Sequence, residues 1–403
     1  MPVVDFSGTY LAWPAIALIA MAVNAAWLRF GGEHVADSRY PTIDGLRGYL
    51  ALAVFIQHAE LWWSMTQRGT WAVDPSPAKS LGAIAVSMFF MVTAFLFVGK
   101  LLDARASGRP VAWDEFFDAR LRRLVPMYLV AVSFVVLICG FLSGWTLRVR
   151  PGELARQLGA WATFTFAGQP DINGVADTGR ILAGVTWSLT YEWLFYLLLP
   201  AAAWAMRLRP PPWALAVSLC VPLLIVTSVW QPHLAQSKPF LGGIVAAVLV
   251  RVPAWRRIAA TPLASVAAIA AVVLALVDGD SGYADRPLCA ATLAFCLIAA
   301  GTSLFGALTA PLSRSFGEPT YSMYLLQGLL LYLAFAWRVP VADADAAPIG
   351  RVAYWGIVCG LTVVLVAITR LTYQVIERPA MSHRKAAARP AATTPMPNAI
   401  AAP

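Results

Sequence analysis

Long apolar segments, separated by short polar ones, follow one another through most of the chain. An α-helix needs about 20 apolar residues to cross a hydrocarbon core of about 30 Å. Eleven segments fit this pattern, at about 9–29, 44–66, 80–102, 121–144, 185–206, 213–230, 238–252, 258–279, 287–309, 320–338 and 350–376. We therefore predict an all-α, polytopic transmembrane helical bundle with ten core spans and one extra N-terminal span. A shorter apolar piece at 155–168 is interpreted as interfacial or re-entrant.

The composition agrees with a membrane protein. Of the 403 residues, 59% are hydrophobic and 13% are charged, whereas a soluble domain is about 25% charged. The net charge of +9 would favour nucleic acid as a partner in a soluble chain. Here the basic residues lie mostly in short loops, so we predict a lipid bilayer and no nucleic acid. The five cysteines are scattered through apolar segments without a CxxC motif, and no metal is expected.

Basic residues also predict which loops are cytoplasmic, because Lys and Arg are enriched there. The loop 100–123 is the most basic and is placed inside. This orientation, in a cytoplasmic (inner) membrane, puts the C-terminus in the cytoplasm and the N-terminus outside. The basic loop 145–184 conflicts with it, although the rule is weaker for long loops.

The chain is divided into three predicted parts. Residues 1–42 form an extra N-terminal transmembrane helix and a polar linker, and no basic region precedes the helix as it would in a secretory signal. Residues 43–380 form the transmembrane domain. Residues 381–403 are rich in Ala and Pro and are predicted to be a disordered cytoplasmic tail.

Arg47 and His58 lie in one apolar segment, eleven residues apart. This spacing puts them within about 20° of one helix face and about 16 Å apart along the axis. Asp44 precedes Arg47 by one turn and can orient or neutralise it, while Glu60 lies about 200° round from His58. Ionisable groups at membrane depth usually face a cavity. The alternative is that His58 only hydrogen-bonds a neighbouring helix.

Ser188, Glu192 and Tyr196 share a second helix face, at positions i, i+4 and i+8. A carboxylate within the membrane needs a partner. Glu192 could therefore orient an acceptor hydroxyl, or it could anchor helices through hydrogen bonds.

Arg120 and Arg123 lie three residues apart at a predicted cytoplasmic helix start. Arginine forks and helix N-termini both favour phosphate. The alternative is ordinary positive charge on the cytoplasmic side. Tyr321 and Tyr324, at the start of another span, could equally be interfacial anchors.

The last apolar segment ends in Glu377-Arg378-Pro379, where the proline predicts the end of a helix. Glu377 and Arg378 could pair with other cytoplasmic charges. Together these clusters predict a membrane tunnel with an arginine-lined cytoplasmic mouth and a histidine further in. Transfer of an acyl group from a nucleotide-bearing thioester to a hydroxyl would use both ends.

These segments resemble the motifs of the integral-membrane acyltransferase-3 family. Residues 43–58 resemble its opening motif, in which ten residues separate an arginine from a histidine, and residues 120–129 resemble its arginine motif, with Tyr128 in place. Residues 86–97, 187–196, 239–249 and 376–379 resemble four further motifs in the family's order, and the resemblance extends from about 43 to 379.

The resemblance implies an acyl-CoA-dependent O-acyltransferase, with acetyl-CoA the expected donor. The acceptor would be a saccharide or a lipid-linked molecule of the cell envelope. His58 would be the catalytic base or acyl relay, with Glu192 and Arg47 as further catalytic residues. Donor-binding residues would be Arg47, Arg120, Arg123 and Tyr128. Substrate-positioning residues would be Asp44, Ser188, Tyr196, Tyr321, Tyr324, Gln327, Glu377 and Arg378.

Gln327 departs from the family pattern, since it occupies the position of a second histidine. Glutamine can hydrogen-bond but cannot shuttle a proton near neutral pH. A positioning role for Gln327 is therefore predicted. Two alternatives remain open at this point: a transporter or flippase of a lipid or saccharide without covalent chemistry, and an inactive membrane scaffold.

Overall fold

The computed structural model describes residues 9–31, 38–73, 77–228, 233–278, 282–336 and 349–381. Within these ranges the chain forms α-helices and short 3₁₀ or π turns, and it contains no β-strand. The helices are α1 (Thr9–Gly31), α2 (Pro41–Arg68), α3 (Pro77–Ser107), α4 (Trp113–Leu142), α5 (Pro151–Ala162), α6 (Trp187–Ala205), α7 (Pro212–Ser228), α8 (Leu234–Ser237), α9 (Pro239–Leu249), α10 (Pro253–Ala259), α11 (Pro262–Val277), α12 (Asp285–Ala299), α13 (Pro311–Phe316), α14 (Thr320–Phe335) and α15 (Arg351–Thr372). The all-α prediction is confirmed.

Each predicted apolar segment contains a helix, but fewer helices have the length and composition of a complete span. Four described helices meet both requirements: Leu11–Gly31, Pro77–Ser107, Trp113–Leu142 and Arg351–Met381. A fifth span results if Leu234–Leu249 and Pro253–Ala259, which meet at 105°, are counted together. Helix α2 is long enough but carries several ionisable residues. The number of ten core spans therefore stays a prediction.

Helices α2 and α3 lie at the centre of the bundle. Helix α2 packs against α3, α13 and α14, and α3 also packs against α9 and α12. In contrast, helices α7 and α11 expose large apolar side chains such as Leu223 and Leu274. Exposed apolar surface of this kind suits lipid, where every backbone polar group must be satisfied within the helix. Helices α7 and α11 carry no Asp, Glu, Lys or Arg, whereas the central helix α2 carries several ionisable residues.

Glycine allows the closest of these helix contacts. Gly243 of α9 faces α3 so closely that a Cβ atom there would lie 2.7 Å from Ala94 Cβ and would also collide with the carbonyl oxygen of Met91. Small residues permit such close approach between membrane helices. The glycine-bearing segment 239–249 therefore packs directly against α3, a helix that lines the candidate active site.

Several predicted helix boundaries differ in the structure, and the span predicted at 287–309, for example, ends as α12 at Ala299. Helix α4 begins at Trp113 rather than near residue 121, and Asp114 and Glu115 in its first turn complement the helix dipole. Arg120 and Arg123 consequently lie inside the helix and not at its start. The segment predicted at 155–168 begins earlier, as α5, and ends at Ala162.

The expected helix end before Pro379 is wrong. A π-helical turn, Tyr373–Glu377, follows α15, and the helix continues to Met381. Proline lacks an N–H donor and clashes with the preceding turn of a regular α-helix. The wider π turn immediately before it changes the local hydrogen-bond pattern, so that the chain remains helical through the proline.

The N-terminal helix α1 packs against α13 and α15 at the edge of the bundle. Its Asn24 accepts hydrogen bonds from the fully buried guanidinium of Arg370, which also contacts Ser315 and lies 3.2 Å from a carboxylate oxygen of Glu318. Trp13 of α1 donates to Glu60 at 3.3 Å. Glu60 therefore faces α1 and not the site.

The division of the chain into three parts stays a prediction. Part of the linker, residues 32–37, and the tail from residue 382 onward lie outside the described residues.

Candidate active site

A cavity of about 340 Å³ lies among α2, α3, α4, α6 and α14, and we call it the donor cavity. Phenylalanines of α3 supply much of its apolar wall. The polar and charged residues that line it are Arg47, Thr93, Lys100, Arg120, Arg123, Ser188, Glu192, Tyr196, Thr320, Tyr321 and Tyr324. The fold thus brings the predicted arginines together with the predicted Ser188, Glu192 and Tyr196 face.

Positive charge dominates the donor cavity. Arg47, Lys100, Arg120 and Arg123 line it, and Glu192 is the only carboxylate among its described lining residues. Within the described ranges the Arg47 guanidinium makes no ion pair and no hydrogen bond. It therefore has donors available for an anionic group. Asp44 makes no ion pair with it in that part of the chain.

Aromatic rings hold two of the other cations. The Arg120 guanidinium lies 4.9 Å from the centre of the Phe97 ring and 6.0 Å from that of Tyr196. Lys100 lies 5.1 Å from the centre of the same Phe97 ring. Cation–π contacts at these distances orient the charge without neutralising it. The cations therefore keep their attraction for an anion.

Glu192 is held by two hydroxyl groups. Tyr196, one turn further along α6, donates to its Oε1 atom, and Thr93 of α3 donates to the same atom at 3.4 Å. Glu192 therefore both lines the donor cavity and links α6 to α3. Of the two alternatives drawn from the sequence, these contacts match the helix anchor, and orientation of an acceptor hydroxyl by Glu192 stays a prediction.

Helix α14 contributes two tyrosines whose hydroxyl groups are already hydrogen-bonded. Tyr324 and Ser188 are 2.7 Å apart through their hydroxyl oxygens, which connects α14 to α6. Tyr321 donates to the carbonyl oxygen of Leu124 in α4 at 3.0 Å. Both tyrosines lie deep in the protein, so they are wall residues and not interfacial anchors.

His58 and Gln327 form a buried pair next to the donor cavity. His58 Nδ1 and Gln327 Nε2 are 2.7 Å apart, and Gln327 is completely buried. Neither residue is among those that line the donor cavity. The donor cavity therefore includes Arg47 but not His58, and a tunnel that joins the two stays a prediction. At the position of His58, Gln327 of α14 packs against α2.

The other predicted site residues lie outside the donor cavity. Tyr128 is buried, donates to the carbonyl oxygen of Trp161 at 2.6 Å and stacks on Phe164. Glu377 is also buried and accepts the backbone N–H of Ser322 at 3.2 Å, in the first turn of α14. Arg378 is exposed beyond it.

The contacts of Glu377 explain its position. Helix N-termini carry unpaired N–H groups that favour a negative charge. Glu377 satisfies one of these groups in α14 and also accepts a hydrogen bond from the Ser322 hydroxyl. It thereby fixes the start of the helix that carries Tyr321, Tyr324 and Gln327.

Sequence analysis missed three polar residues of the donor cavity, Thr93, Lys100 and Thr320. Thr93 and Lys100 belong to α3, where they lie seven residues apart and hence on one helix face. That spacing was the available signal. No group of three or more His, Cys, Asp or Glu side chains in the described ranges could hold a metal ion.

Comparison with known proteins identifies the fold's family. A sequence model described as an acyltransferase domain matches residues 40–371. The chain belongs to the acyltransferase-3 family. The family assignment, together with the apolar helices, makes it a membrane acyltransferase. No solved structure matches the chain.

Several curated relatives are similar to this acyltransferase. It is 27% identical to acyltransferase MdmB of Streptomyces mycarofaciens, over 91% of this chain and 97% of that protein. It is 26% identical to peptidoglycan O-acetyltransferase OatA of Listeria monocytogenes, over 47% of this chain and 28% of that protein. It is 24% identical to putative peptidoglycan O-acetyltransferase YrhL of Bacillus subtilis, over 84% of this chain and 54% of that protein.

Proposed function

We propose that this acyltransferase moves an acyl group, most simply acetyl, from acyl-CoA to a hydroxyl of an envelope saccharide or glycolipid. The observation that supports the donor most directly is the cationic donor cavity, in which Arg47 has no direct partner among the described residues. Family membership supports the acyl transfer. The names of two relatives, both peptidoglycan O-acetyltransferases, favour a saccharide acceptor.

The donor would bind with its anionic part toward Arg47, Lys100, Arg120 and Arg123. Arginine forks bind phosphate oxygens in pairs, and a guanidinium shielded from water forms stronger charge-assisted hydrogen bonds than an exposed one. The apolar wall of α3 would accommodate the uncharged arm of the thioester. The basic loop 100–123 supports a cytoplasmic position for this end, on the side where acyl-CoA is made, in an inner membrane.

His58 is proposed as the base or acyl relay, with Gln327 as its positioning residue. With the Gln327 amide oxygen turned toward His58, it accepts the Nδ1–H group and leaves the Nε2 lone pair free. Nε2 could then take the proton of the acceptor hydroxyl. The acceptor oxygen forms an ester bond to the acyl carbon, the carbon–sulfur bond breaks, and the proton passes from His58 to the coenzyme A thiolate.

The proposal is tested by transfer of radiolabelled acetyl from acetyl-CoA to an envelope fraction, with the purified full chain in vesicles. His58→Ala should lower the rate about 10²- to 10⁴-fold, because a positioned general base contributes that much. Gln327→Leu should lower the rate on the order of 10- to 100-fold, because Nδ1 loses its buried partner. Binding of acetyl-CoA should change little in either variant.

Thr66→Ala is the matched control, because Thr66 is also a buried polar residue of α2 but bonds only within its own helix. It should keep the wild-type rate. Labelling by His58→Ala at the wild-type rate would contradict the catalytic assignment. Absence of labelling by the wild-type protein would contradict acyl transfer itself.

A further inference from the structure

A second cavity, of about 370 Å³, lies against the opposite face of α6. We call it the amide-aromatic pocket. The residues that line it are Thr165, Gly168, Gln169, Gly184, Trp187, Thr190, Tyr191, His233 and Gln236. At 100° per residue, Trp187 and Thr190 point away from the α6 face that carries Ser188 and Glu192, and Tyr191 lies toward the edge of that face. Helix α6 therefore separates two cavities of different chemistry.

The lining of the amide-aromatic pocket suits a neutral ligand with many hydroxyl groups. Its described lining residues include no Lys, Arg, Asp or Glu, whereas the donor cavity has four cations. The side chains that remain are two aromatic rings, two amides, two threonine hydroxyls and the His233 imidazole. Rings provide flat apolar faces, and amides both donate and accept hydrogen bonds. This combination matches the alternating C–H and O–H groups of a sugar ring.

Hydrogen bonds hold the walls in place before any ligand binds. Gln169 donates to the carbonyl oxygen of Gly184 at 3.1 Å and to the Thr186 hydroxyl at 2.6 Å, which closes the loop on itself. The backbone N–H of His233 donates to the Tyr191 hydroxyl at 2.8 Å and fixes the start of α8 on α6. Most small-molecule sites are largely pre-formed in this way.

Gln236 is the group left available for a ligand. Its side-chain amide lines the pocket and makes no hydrogen bond to the described residues. The residue is half-buried on the short helix α8. An amide in this position has both a donor and an acceptor to offer a hydroxyl group.

The amide-aromatic pocket and the donor cavity share one aromatic wall. Phe90 lines the donor cavity, and its ring centre lies 6.1 Å from that of Trp187 and 6.1 Å from that of Tyr191. The loop that bounds the pocket also reaches the catalytic pair, because the backbone of Leu182 packs directly on Gly328, the residue after Gln327. The pocket therefore adjoins the donor cavity, and its loop contacts α14 next to Gln327.

We propose that the amide-aromatic pocket binds the saccharide acceptor as a neutral sugar ring, between Trp187, Tyr191 and Gln236. This inference rests on the proposed function, because the bound sugar is an acceptor only if the protein transfers acyl groups. Sugar binding itself is measured without any acyl donor. The two proposals can therefore fail separately.

Saturation-transfer NMR on the full chain in lipid nanodiscs tests the inference, with glucose, N-acetylglucosamine and glucuronate as probes. We expect saturation transfer to at least one of the two neutral sugars and a weaker signal from glucuronate. Gln236→Ala should weaken neutral-sugar binding about 2- to 10-fold, the effect of one lost hydrogen bond. Trp187→Ala should abolish the signal.

Leu234→Ala is the matched control, since Leu234 lies on the same short helix and its side chain is 80% exposed. It should bind sugar as the wild type does. Because the Gln236 side chain makes no hydrogen bond to a described residue, its substitution should leave the fold intact even if Trp187→Ala is unstable. No transfer to either neutral sugar, stronger binding of glucuronate, or unchanged binding in Gln236→Ala would overturn the inference.

Discussion

Arg47 shows how a single residue links the sequence to a donor. A guanidinium away from bulk water is costly unless something pairs with it. Arg47 lines the donor cavity, and no direct partner for it lies in the described part of the chain. An anionic ligand at this position would supply the missing partner.

Replacing Arg47 should therefore weaken donor binding selectively. A charge-assisted hydrogen bond contributes about 1.5–3 kcal/mol, so Arg47→Gln should raise the Kd for acetyl-CoA about 10- to 100-fold. The measurement is equilibrium binding of labelled acetyl-CoA to the purified protein. Arg122→Gln is the control, because Arg122 is exposed and pairs with Asp118 at 2.8 Å. Equal effects of the two substitutions would show that general charge, and not the donor cavity, sets the affinity.

The positions of Arg47 and His58 also show how far the sequence alone could predict the site. Their spacing of eleven residues was sufficient to place both on one helix face. It contained no information about the neighbours that cover that face. Only the fold brings Gln327 against His58 and leaves the histidine outside the donor cavity.

At the scale of elements, a close helix contact through glycine supports one wall of the donor cavity. Helix α3 forms one wall of the cavity, and α9 packs against its back through Gly243. The pattern of apolar residues was sufficient to predict both α3 and α9. It could not predict the π turn before Pro379, because the hydrogen-bond pattern that accommodates a proline depends on backbone geometry.

Gly243→Ala should consequently destabilise the protein, although alanine is the better helix former. Overpacking of this kind costs about 1–3 kcal/mol, and displacement of α3 should also reduce transfer activity. Thermal unfolding in detergent, followed by the loss of monodisperse protein, provides the measurement. Gly356→Ala in α15 is the same substitution where a Cβ atom has no neighbour within 4 Å. It should leave stability unchanged or raise it, and a similar loss there would contradict the packing argument.

At the scale of the whole molecule, the predicted orientation can be tested at the two ends of α3. Thr70 and Arg109 are exposed residues on either side of this helix, which is about 46 Å long at its 31 residues. The basic loop that contains Arg109 is predicted to be cytoplasmic. Thr70 should then be outside.

In a cysteine-free background, a membrane-impermeant maleimide should label Thr70→Cys in intact cells. Arg109→Cys should react only after the membrane is permeabilised. Labelling of Arg109→Cys in intact cells, with protection of Thr70→Cys, would reverse the orientation and place the donor cavity's cations on the wrong side for cytoplasmic acyl-CoA.

The buried Arg370 has a consequence for how the protein is made. Its hydrogen bonds to Asn24 join α15 to α1, the last and the first of the described long helices. The ribosome synthesises α1 long before α15, so Asn24 cannot bond to Arg370 until almost the whole bundle has been translated. Closure of the bundle is therefore a late event in biogenesis. A chain that stalls or is cut before α15 would leave α1 without this partner, which gives membrane quality control a feature by which to distinguish incomplete copies.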